Sequence, residues 1–365
     1  MKNRCDGCGA KIQFTDPNQK GYIKSEVYLK NPDHFFCERC FNLVHYNKNT
    51  EITYDESDFL KNIKKISESK SLVVHVVDVF DLDGTLIKDL NHYFPNNRLL
   101  LVANKFDLFL DSVKVMRVKN YLDKFLLEND VRVEKTIVMS SFRSKDVEIL
   151  LSNINKMQDD KDVYLFGMTN VGKSSIINAI SRYYSQDSSI TVSNFVSTTM
   201  DFIKVSLPNK TFIIDSPGII NNHQISYYLE KSSLNILTQK KFIRPATYQI
   251  NPQQALLLGG FCIVKFVEGI KSTFVVYTPQ NLVVHRTKLE NVDQFFIEHQ
   301  DDILLIPNPL ERSKMGNLVS QTFSFSEEKM DLFISGLGFI TLIGRGKVEI
   351  TYYDKIKVGI RKALV

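Results

Sequence analysis

The sequence predicts an α/β protein. It has a six-stranded, mostly parallel sheet with helices on both faces, a small metal module before it and a β-rich domain after it. Three observations carry this. Apolar runs of strand length alternate with helical patterns through the middle of the chain. A glycine-rich loop joins one of those runs to a helical pattern. Two Cys-x-x-Cys pairs stand within the first 40 residues.

The 365 residues are enough for two or three domains. A hydrophobic content of 43% and a charged content of 24% are ordinary for a soluble globular chain with a sizeable core. No window approaches about 18 uninterrupted apolar residues, so no membrane span is expected. The first residues, Met1-Lys2-Asn3-Arg4-Cys5, hold no apolar signal region, and a cytoplasmic location is the default expectation. The net charge of +5 is mild, but the last 25 residues carry Arg345, Lys347, Lys355, Lys357, Arg361 and Lys362 against Glu349 and Asp354. That balance is compatible with a polyanionic partner and equally with a solvated charged face.

Residues 1–48 are expected to form a zinc-binding module, 49–225 the nucleotide domain and 226–365 the β-rich domain. Cys5-x-x-Cys8 and Cys37-x-x-Cys40 can present four thiolates to one tetrahedral zinc ion. The segment between them is short, polar and rich in turn formers, so a metal would supply the folding free energy. Disulfides are the alternative, disfavoured without a secretory signal. His34 and His45 are weaker ligand candidates. Cys262, in an apolar run, reads as a buried small hydrophobe.

From Asp55 a helical pattern puts Phe59, Ile63 and Ile66 on one face. Strand-like runs follow at 72–77, 99–103, 133–139, 163–166, 200–207 and 211–214. Helical patterns lie around 121–127 and 147–154, and Pro208-Asn209-Lys210 reads as a hairpin turn.

Gly167-Met168-Thr169-Asn170-Val171-Gly172-Lys173-Ser174 follows the fourth run and precedes a helical pattern from Ser175. Strand, glycine loop and helix make a phosphate-binding loop: backbone N–H groups and the helix N-terminus face the phosphates. Lys173 reaches the β- and γ-phosphates, and Ser174 ligates magnesium. Asn170, Val171, Gly172, Lys173, Ser174 and Ser175 are the expected nucleotide contacts here.

Asn104-Lys105-Phe106-Asp107 ends the second run. The carboxylate of Asp107 can accept both the ring N–H and the exocyclic amine of guanine. Asn104 can meet the other edge and tie this loop to the phosphate loop, and the stem of Lys105 can cover the base face. Adenine offers the wrong donors and acceptors. Backbone N–H groups at Ser140-Ser141 are candidates for the guanine carbonyl. Asp215-Ser216-Pro217-Gly218 ends the last strand: Asp215 suits an outer-shell magnesium contact, and the Gly218 amide suits the γ-phosphate. Thr198 and Thr199 precede a strand start, and Thr199 is the better candidate to close over the metal. Lys173, Thr199 and Gly218 are the residues expected to act in catalysis.

These signatures resemble those of the translation-factor class of GTPases. In this chain Asn104 to Asp107 and Ser140-Ser141 come before the phosphate loop, and Thr199 and Asp215 to Gly218 come after it. The resemblance is therefore to a circularly permuted GTPase, a rearrangement tolerable because domain termini lie at the surface. More narrowly, the chain resembles the YqeH-type permuted GTPases. The residues are Cys5-Asp6-Gly7-Cys8-Gly9, Cys37-Glu38-Arg39-Cys40-Phe41 with His45-Tyr46-Asn47, Gly218-Ile219-Ile220-Asn221 and His285-Arg286-Thr287-Lys288-Leu289-Glu290. The resemblance implies GTP hydrolysis to GDP and phosphate, coupled to maturation of the small ribosomal subunit, with GTP, Mg²⁺ and Zn²⁺ as ligands. The small subunit or its rRNA is the expected partner, and a monomer is expected. The chain departs from the family pattern at Val196-Ser197, where Pro-Gly is usual, and at Ser141-Phe142, where a small residue and lysine are usual.

Ile219 stands where Ras-like enzymes orient the attacking water with glutamine, so slow intrinsic hydrolysis is expected. Asn170 is similar to the asparagine of potassium-activated relatives. A potassium ion held partly by it would supply positive charge; the alternative is a residue that only stabilises the turn. His223 is a further candidate near the site.

Residues 224–237 read as one amphipathic helix. From Thr247 short runs at 255–258, 261–267, 272–277, 339–343, 348–352 and 357–360 predict a β-rich domain with a helical insertion near 291–299. Period-two spacing would put Arg345 with Lys347, and Lys355 with Lys357, on strand faces open to RNA phosphate. The alternatives to a GTPase are a nucleotide-gated RNA-binding adaptor with negligible turnover and, disfavoured by Asp107, an ATP-dependent enzyme.

Overall fold

The structure is a computed structural model that describes residues 3, 5, 11–17, 19, 21–30, 35, 37–38, 56–185, 194–196, 203–216, 218–239 and 242–365. The chain falls into two compact units. The first holds residues 1–79, 86–106 and 122–219; the second holds 80–85, 107–121 and 220–365.

The first unit is built on a seven-stranded sheet. Its strands are β1 (Leu72–Asp78), β2 (Leu99–Asn104), β3 (Lys135–Val138), β4 (Val163–Phe166), β5 (Asn194–Val196), β6 (Ile203–Ser206) and β7 (Phe212–Asp215). The spatial order is β3-β2-β1-β4-β7-β6-β5. The six expected strands are all present, and β5 adds a short seventh at the edge. Strands β3, β2, β1, β4 and β7 pair in parallel, while β6 and β5 run antiparallel. Buried parallel strands need apolar residues on both faces, and β1 and β2 are buried almost end to end. On one face Val74, Val76, Leu100, Val102 and Leu165 pack under the helices Ser144–Met157 and Lys173–Ser185. On the other, Phe166 meets Phe94 edge-on at 4.8 Å between ring centroids. The parallel strands all deliver their C-terminal ends to one edge of the sheet, the edge at which open α/β sheets bind ligands.

The second unit has two antiparallel five-stranded sheets. Its strands are β8 (Ala246–Ile250), β9 (Gln254–Leu258), β10 (Cys262–Gly269), β11 (Ser272–Tyr277), β12 (Val284–Lys288), β13 (Leu318–Phe325), β14 (Met330–Ile334), β15 (Gly338–Ile343), β16 (Gly346–Tyr353) and β17 (Val358–Lys362). One sheet runs β12-β9-β10-β16-β13, the other β17-β14-β15-β11-β8. Alternate residues, among them Val264, Phe266, Phe274, Leu332, Ile340 and Ile350, form one core shared by both sheets. Cys262 is fully buried there, as its apolar setting foretold, and burial pushes its thiol up to about 12.

The polar network of this unit centres on Asp81. Its carboxylate accepts hydrogen bonds from Gln224 Nε2 (2.6 Å), the Gly336 amide (2.9 Å), Ser335 Oγ (3.2 Å) and the Gly84 amide (3.2 Å). Gly84 admits no side chain, because a Cβ there would collide with Asp81 and Ser335. Beside it Arg361 pairs with Asp83, and Lys357 Nζ donates to the Asp83 carbonyl at 2.5 Å.

Two expectations are corrected. The segment 224–237 is two short helices, Ile225–Tyr228 and Lys231–Leu237, with Leu229 and Glu230 extended between them. The break is held by Glu311, which is fully buried and accepts from the Glu230 amide and the Ser233 hydroxyl. The basic pairs also differ from the period-two reading. Lys355 and Lys357 precede β17; Lys355 Nζ donates to the Lys314 carbonyl, and Lys357 is spent on Asp83. Arg345 lies in a turn before β16, and Lys347 pairs with Glu268 at 2.8 Å.

Candidate functional site

Three loops follow the strand ends of the first unit. Residues 167–172 leave β4 and enter the helix Lys173–Ser185. The conformation is set by Asn170 at φ 63° and Gly172 at φ 94°. Asparagine tolerates the left-handed region better than other non-glycine residues, and Asn170 is exposed. Val171 is fully buried and anchors the loop in the sheet core.

Lys173 is buried at the helix start. Its Nζ donates to the Gly167 carbonyl at 2.9 Å and the Met168 carbonyl at 2.8 Å. Burial lowers its pKa to about 8, against the pull of Asp215. Ser174 Oγ donates to Asp215 Oδ2 at 3.3 Å, while Asp215 Oδ1 is buried with no hydrogen-bond partner among the described residues. Burial raises the Asp215 carboxyl to about 6, partly offset by Lys173 and Ser174. A buried carboxylate oxygen without a donor, next to a serine hydroxyl, suits an oxygen-liganded cation such as magnesium.

The segment after β7 adds a rung to the phosphate loop. Ile219 N donates to the Gly167 carbonyl at 3.1 Å, and Thr169 N donates to the Ile219 carbonyl at 2.9 Å. Gly218 is thereby held against Lys173, whose Nζ lies 3.0 Å from where a Cβ on Gly218 would stand.

The second loop leaves β2. Asn104 is 1% exposed and satisfied at both ends of its amide: Nδ2 donates to the Val171 carbonyl and Oδ1 accepts from the Ser141 amide, each at 3.1 Å. One side chain thus joins the phosphate loop to the loop after β3. Lys105 has φ 69°, and its Nζ lies 2.7 Å from Asp78 Oδ2 at the end of β1. Phe106 is buried, its amide donates to Met139 O, and the Arg143 guanidinium stands 5.7 Å above its ring. Asp107 lies on the short 3-10 turn Phe106–Leu108, and its Oδ1 is buried without a hydrogen-bond partner among the described residues.

In the third loop the Ser140 amide donates to Asp146 Oδ2 at 2.9 Å and the Ser141 amide to Asn104, so both amides already have acceptors. Thr198 and Thr199 lie outside the described residues, as do Cys8, Cys40, His34 and His45. Cys5 and Cys37 are both buried, and the Cys37 amide donates to Cys5 Sγ at 3.1 Å. Among the described residues no three metal-ligating side chains cluster. His223 Nδ1 lies 3.2 Å from the Lys355 carbonyl in the second unit.

Two residues escaped the sequence reading. Asp78 is the sole carboxylate in its strand and ends an apolar run, the position at which a parallel strand meets a ligand. His75 interrupts the same run: it is fully buried, its Nε2 accepts from the Ile87 amide at 3.2 Å, and Nδ1 faces the Phe166 carbonyl at 3.3 Å. With Nε2 accepting, the ring proton is on Nδ1, directed at the residue before Gly167.

A lysine and serine at a helix start, an aspartate at the neighbouring strand end and an Asn-Lys-x-Asp loop from a strand earlier in the chain define a P-loop GTPase in circularly permuted order. A family model described as 50S ribosome-binding GTPase matches residues 162–254, and one described as YqeH-like, C-terminal, matches residues 271–364. The chain is 36% identical over 363 residues to uncharacterized protein YqeH of Bacillus subtilis (strain 168), covering 99% of each. It is 23% identical over 389 residues to NO-associated protein 1, chloroplastic/mitochondrial, of Arabidopsis thaliana, covering 93% of this chain and 69% of that one. The chain belongs to the YqeH-like family and is a GTP-hydrolysing enzyme.

Proposed function

We propose that this GTPase acts in the assembly of the small ribosomal subunit, its nucleotide state governing contact with ribosomal RNA through the second unit. The observation that carries the reading is the course of the chain after β7. Ile219 is hydrogen-bonded to the phosphate loop through both its amide and its carbonyl, and the next residue, Ile220, opens the last and longest segment of the second unit. A change at the γ-phosphate is therefore passed along the backbone with no intervening linker. The matching family model carries a 50S description, whereas the YqeH resemblance favours the small subunit, so the test must hold both subunits.

In this reading Asp107 reads the guanine edge, Lys105 covers its face, and Asn104 with Ser140 and Ser141 shapes the base pocket. Asn170, Val171, Gly172, Lys173, Ser174 and Ser175 hold the phosphates. Ser174, Asp215 and Thr199 hold magnesium, which would supply charge stabilisation at the phosphates. Lys173 and the Gly218 amide bear on the γ-phosphate. Cys5, Cys8, Cys37 and Cys40 bind zinc; the support is the Cys37 amide donating to the buried sulfur of Cys5, a bond suited to a thiolate. A cytoplasmic location goes with this role. Among the described residues no helix is long and apolar enough to cross a membrane.

The test is single-turnover GTP hydrolysis by the full chain, alone and with purified small or large subunits, alongside co-sedimentation in GTP and GDP. Stimulation and GTP-dependent binding confined to small subunits support the proposal. Response to large subunits alone, or to neither, overturns it.

A further inference from the structure

We propose that Asp78 is a positioning residue for guanine-nucleotide binding: it holds Lys105 so that its stem is set to cover the base. The proposal rests on the reading of Asn104 to Asp107 as the guanine loop, and goes beyond it by assigning a residue from another strand.

The geometry begins with register. Asp78 is the last residue of β1 and pairs with Asn104, the last residue of β2. The next rung is the Val79 amide donating to the Asn104 carbonyl at 3.0 Å. Lys105 is thus the first residue past the paired strands, next to Asp78. Its neighbours are fixed: Asn104 by Val171 and Ser141, Phe106 by burial and by Met139. Lys105 itself takes φ 69°, a backbone conformation that side chains other than glycine and asparagine rarely adopt. Its Nζ then meets Asp78 Oδ2 at 2.7 Å, with the side chain of Asp78 14% exposed and that of Lys105 30% exposed.

A lysine side chain is a flexible stem with a charged tip. Left free, it would sample many rotamers, and ordering it over a base would oppose binding. An ion pair at the tip selects the rotamer before the nucleotide arrives, which is preorganisation. Because a stem over the ring touches the π-face, its effect does not depend on which groups sit on the base edge. The Asp78 contribution is therefore to affinity, equal for purines that differ at the 2-position, whereas that of Asp107 is to discrimination.

The experiment is calorimetric titration of the full chain with GDP, IDP and ADP, for the wild type and for Asp78→Ala, Asp78→Asn, Lys105→Ala and Asp78→Ala with Lys105→Ala. Asp78→Ala is expected to weaken GDP and IDP by the same factor, about two- to tenfold, the range for one immobilised flexible side chain. Asp78→Asn, which keeps an acceptor oxygen, falls between. In the Lys105→Ala background Asp78→Ala has no further effect. The melting temperature of the nucleotide-free protein reports any general loss of fold, which would persist in that background. Unchanged GDP affinity in Asp78→Ala, or an equal loss whether or not Lys105 is present, overturns the proposal. If the wild type fails to prefer GDP over ADP, the guanine reading itself falls, and this one with it.

Discussion

The side-chain nitrogen of Asn104 occupies the space into which a Cβ on Gly172 would project. The loop after β2 and the phosphate loop are therefore fitted to each other through one amide and one missing side chain. Gly172 also has φ 94°, where any Cβ is strained. Gly172→Ala is expected to cost about 1–3 kcal/mol of stability and at least about tenfold in GDP affinity. Asn104→Ala by itself strands the Val171 carbonyl and the Ser141 amide, but in that background the collision is gone and only the strain remains, so Gly172→Ala should cost less there than in the wild type. Thermal unfolding and GDP titration of Gly172→Ala, Asn104→Ala and the double variant measure both. Full tolerance of Gly172→Ala would show that the two loops are not so fitted.

His75 gives a pH dependence with a definite sign. Its pKa is lowered to about 4, chiefly by burial, with the Phe166 carbonyl opposing and Lys173 adding to the lowering. The unfolded chain takes up this proton from about pH 6.5 downward and the folded one only near 4, so acidification through that window favours unfolding. The contribution is present in full above pH 6.5 and amounts to about 3 kcal/mol when lost. His75→Gln should flatten that part of the stability curve between pH 6.5 and 4, in chemical unfolding followed at each pH. A variant curve parallel to that of the wild type would refute the assignment.

What could be read from the residues follows from what packs where. β1 and β2 were visible because both faces are buried, leaving unbroken apolar runs. β13 was invisible: Leu318 to Phe325 is largely exposed on both faces, and Ser320, Gln321, Thr322 and Ser324 carry no core-facing pattern. The break at Leu229 and Glu230 could not be foreseen because its cause, Glu311, lies far along the chain. Within the site, Lys173 and Asn104 stand out because loop chemistry demands those residues at fixed spacing. Asp78 and His75 act through partners brought close only by parallel pairing, and no local signal marks them.

Asp81 collects donors from three stretches of the second unit, among them two backbone amides, Gly84 and Gly336. Replacing it with alanine strands those groups, at about 1–3 kcal/mol for the set given that the site is half-buried. With two compact units a single unfolding free energy is poorly defined, so the measurement is local. In Asp81→Ala, hydrogen exchange at Gly84, Gly336 and the helix Ile225–Tyr228 should speed up while β1 and β2 keep their protection. Uniform acceleration across both units, or none, would contradict the placement of Asp81 as the joint of this network.

Hydrolysis by this enzyme must proceed without a polar side chain at position 219. Ile219 offers only its backbone, and both its N–H and its carbonyl are already bonded to the phosphate loop. An isoleucine cannot orient water, so the intrinsic rate is expected near or below the roughly 10⁻⁴ s⁻¹ scale of unassisted Ras-type turnover. Among the described residues the buried Lys173 is the one cation held by the phosphate loop, so a monovalent cation would add positive charge beyond that of Lys173 and the proposed magnesium. Asn170 is exposed at the lip of that loop with a carbonyl oxygen suited to a monovalent cation. Turnover in potassium should therefore exceed turnover in sodium at equal ionic strength by about tenfold or more, on the scale of one added charge contact. Asn170→Ala should abolish the difference, with rates compared at saturating GTP so that any loss of nucleotide affinity through the left-handed turn does not enter. If rates are equal in the two salts, or if the variant still responds to potassium, Asn170 serves only the left-handed turn.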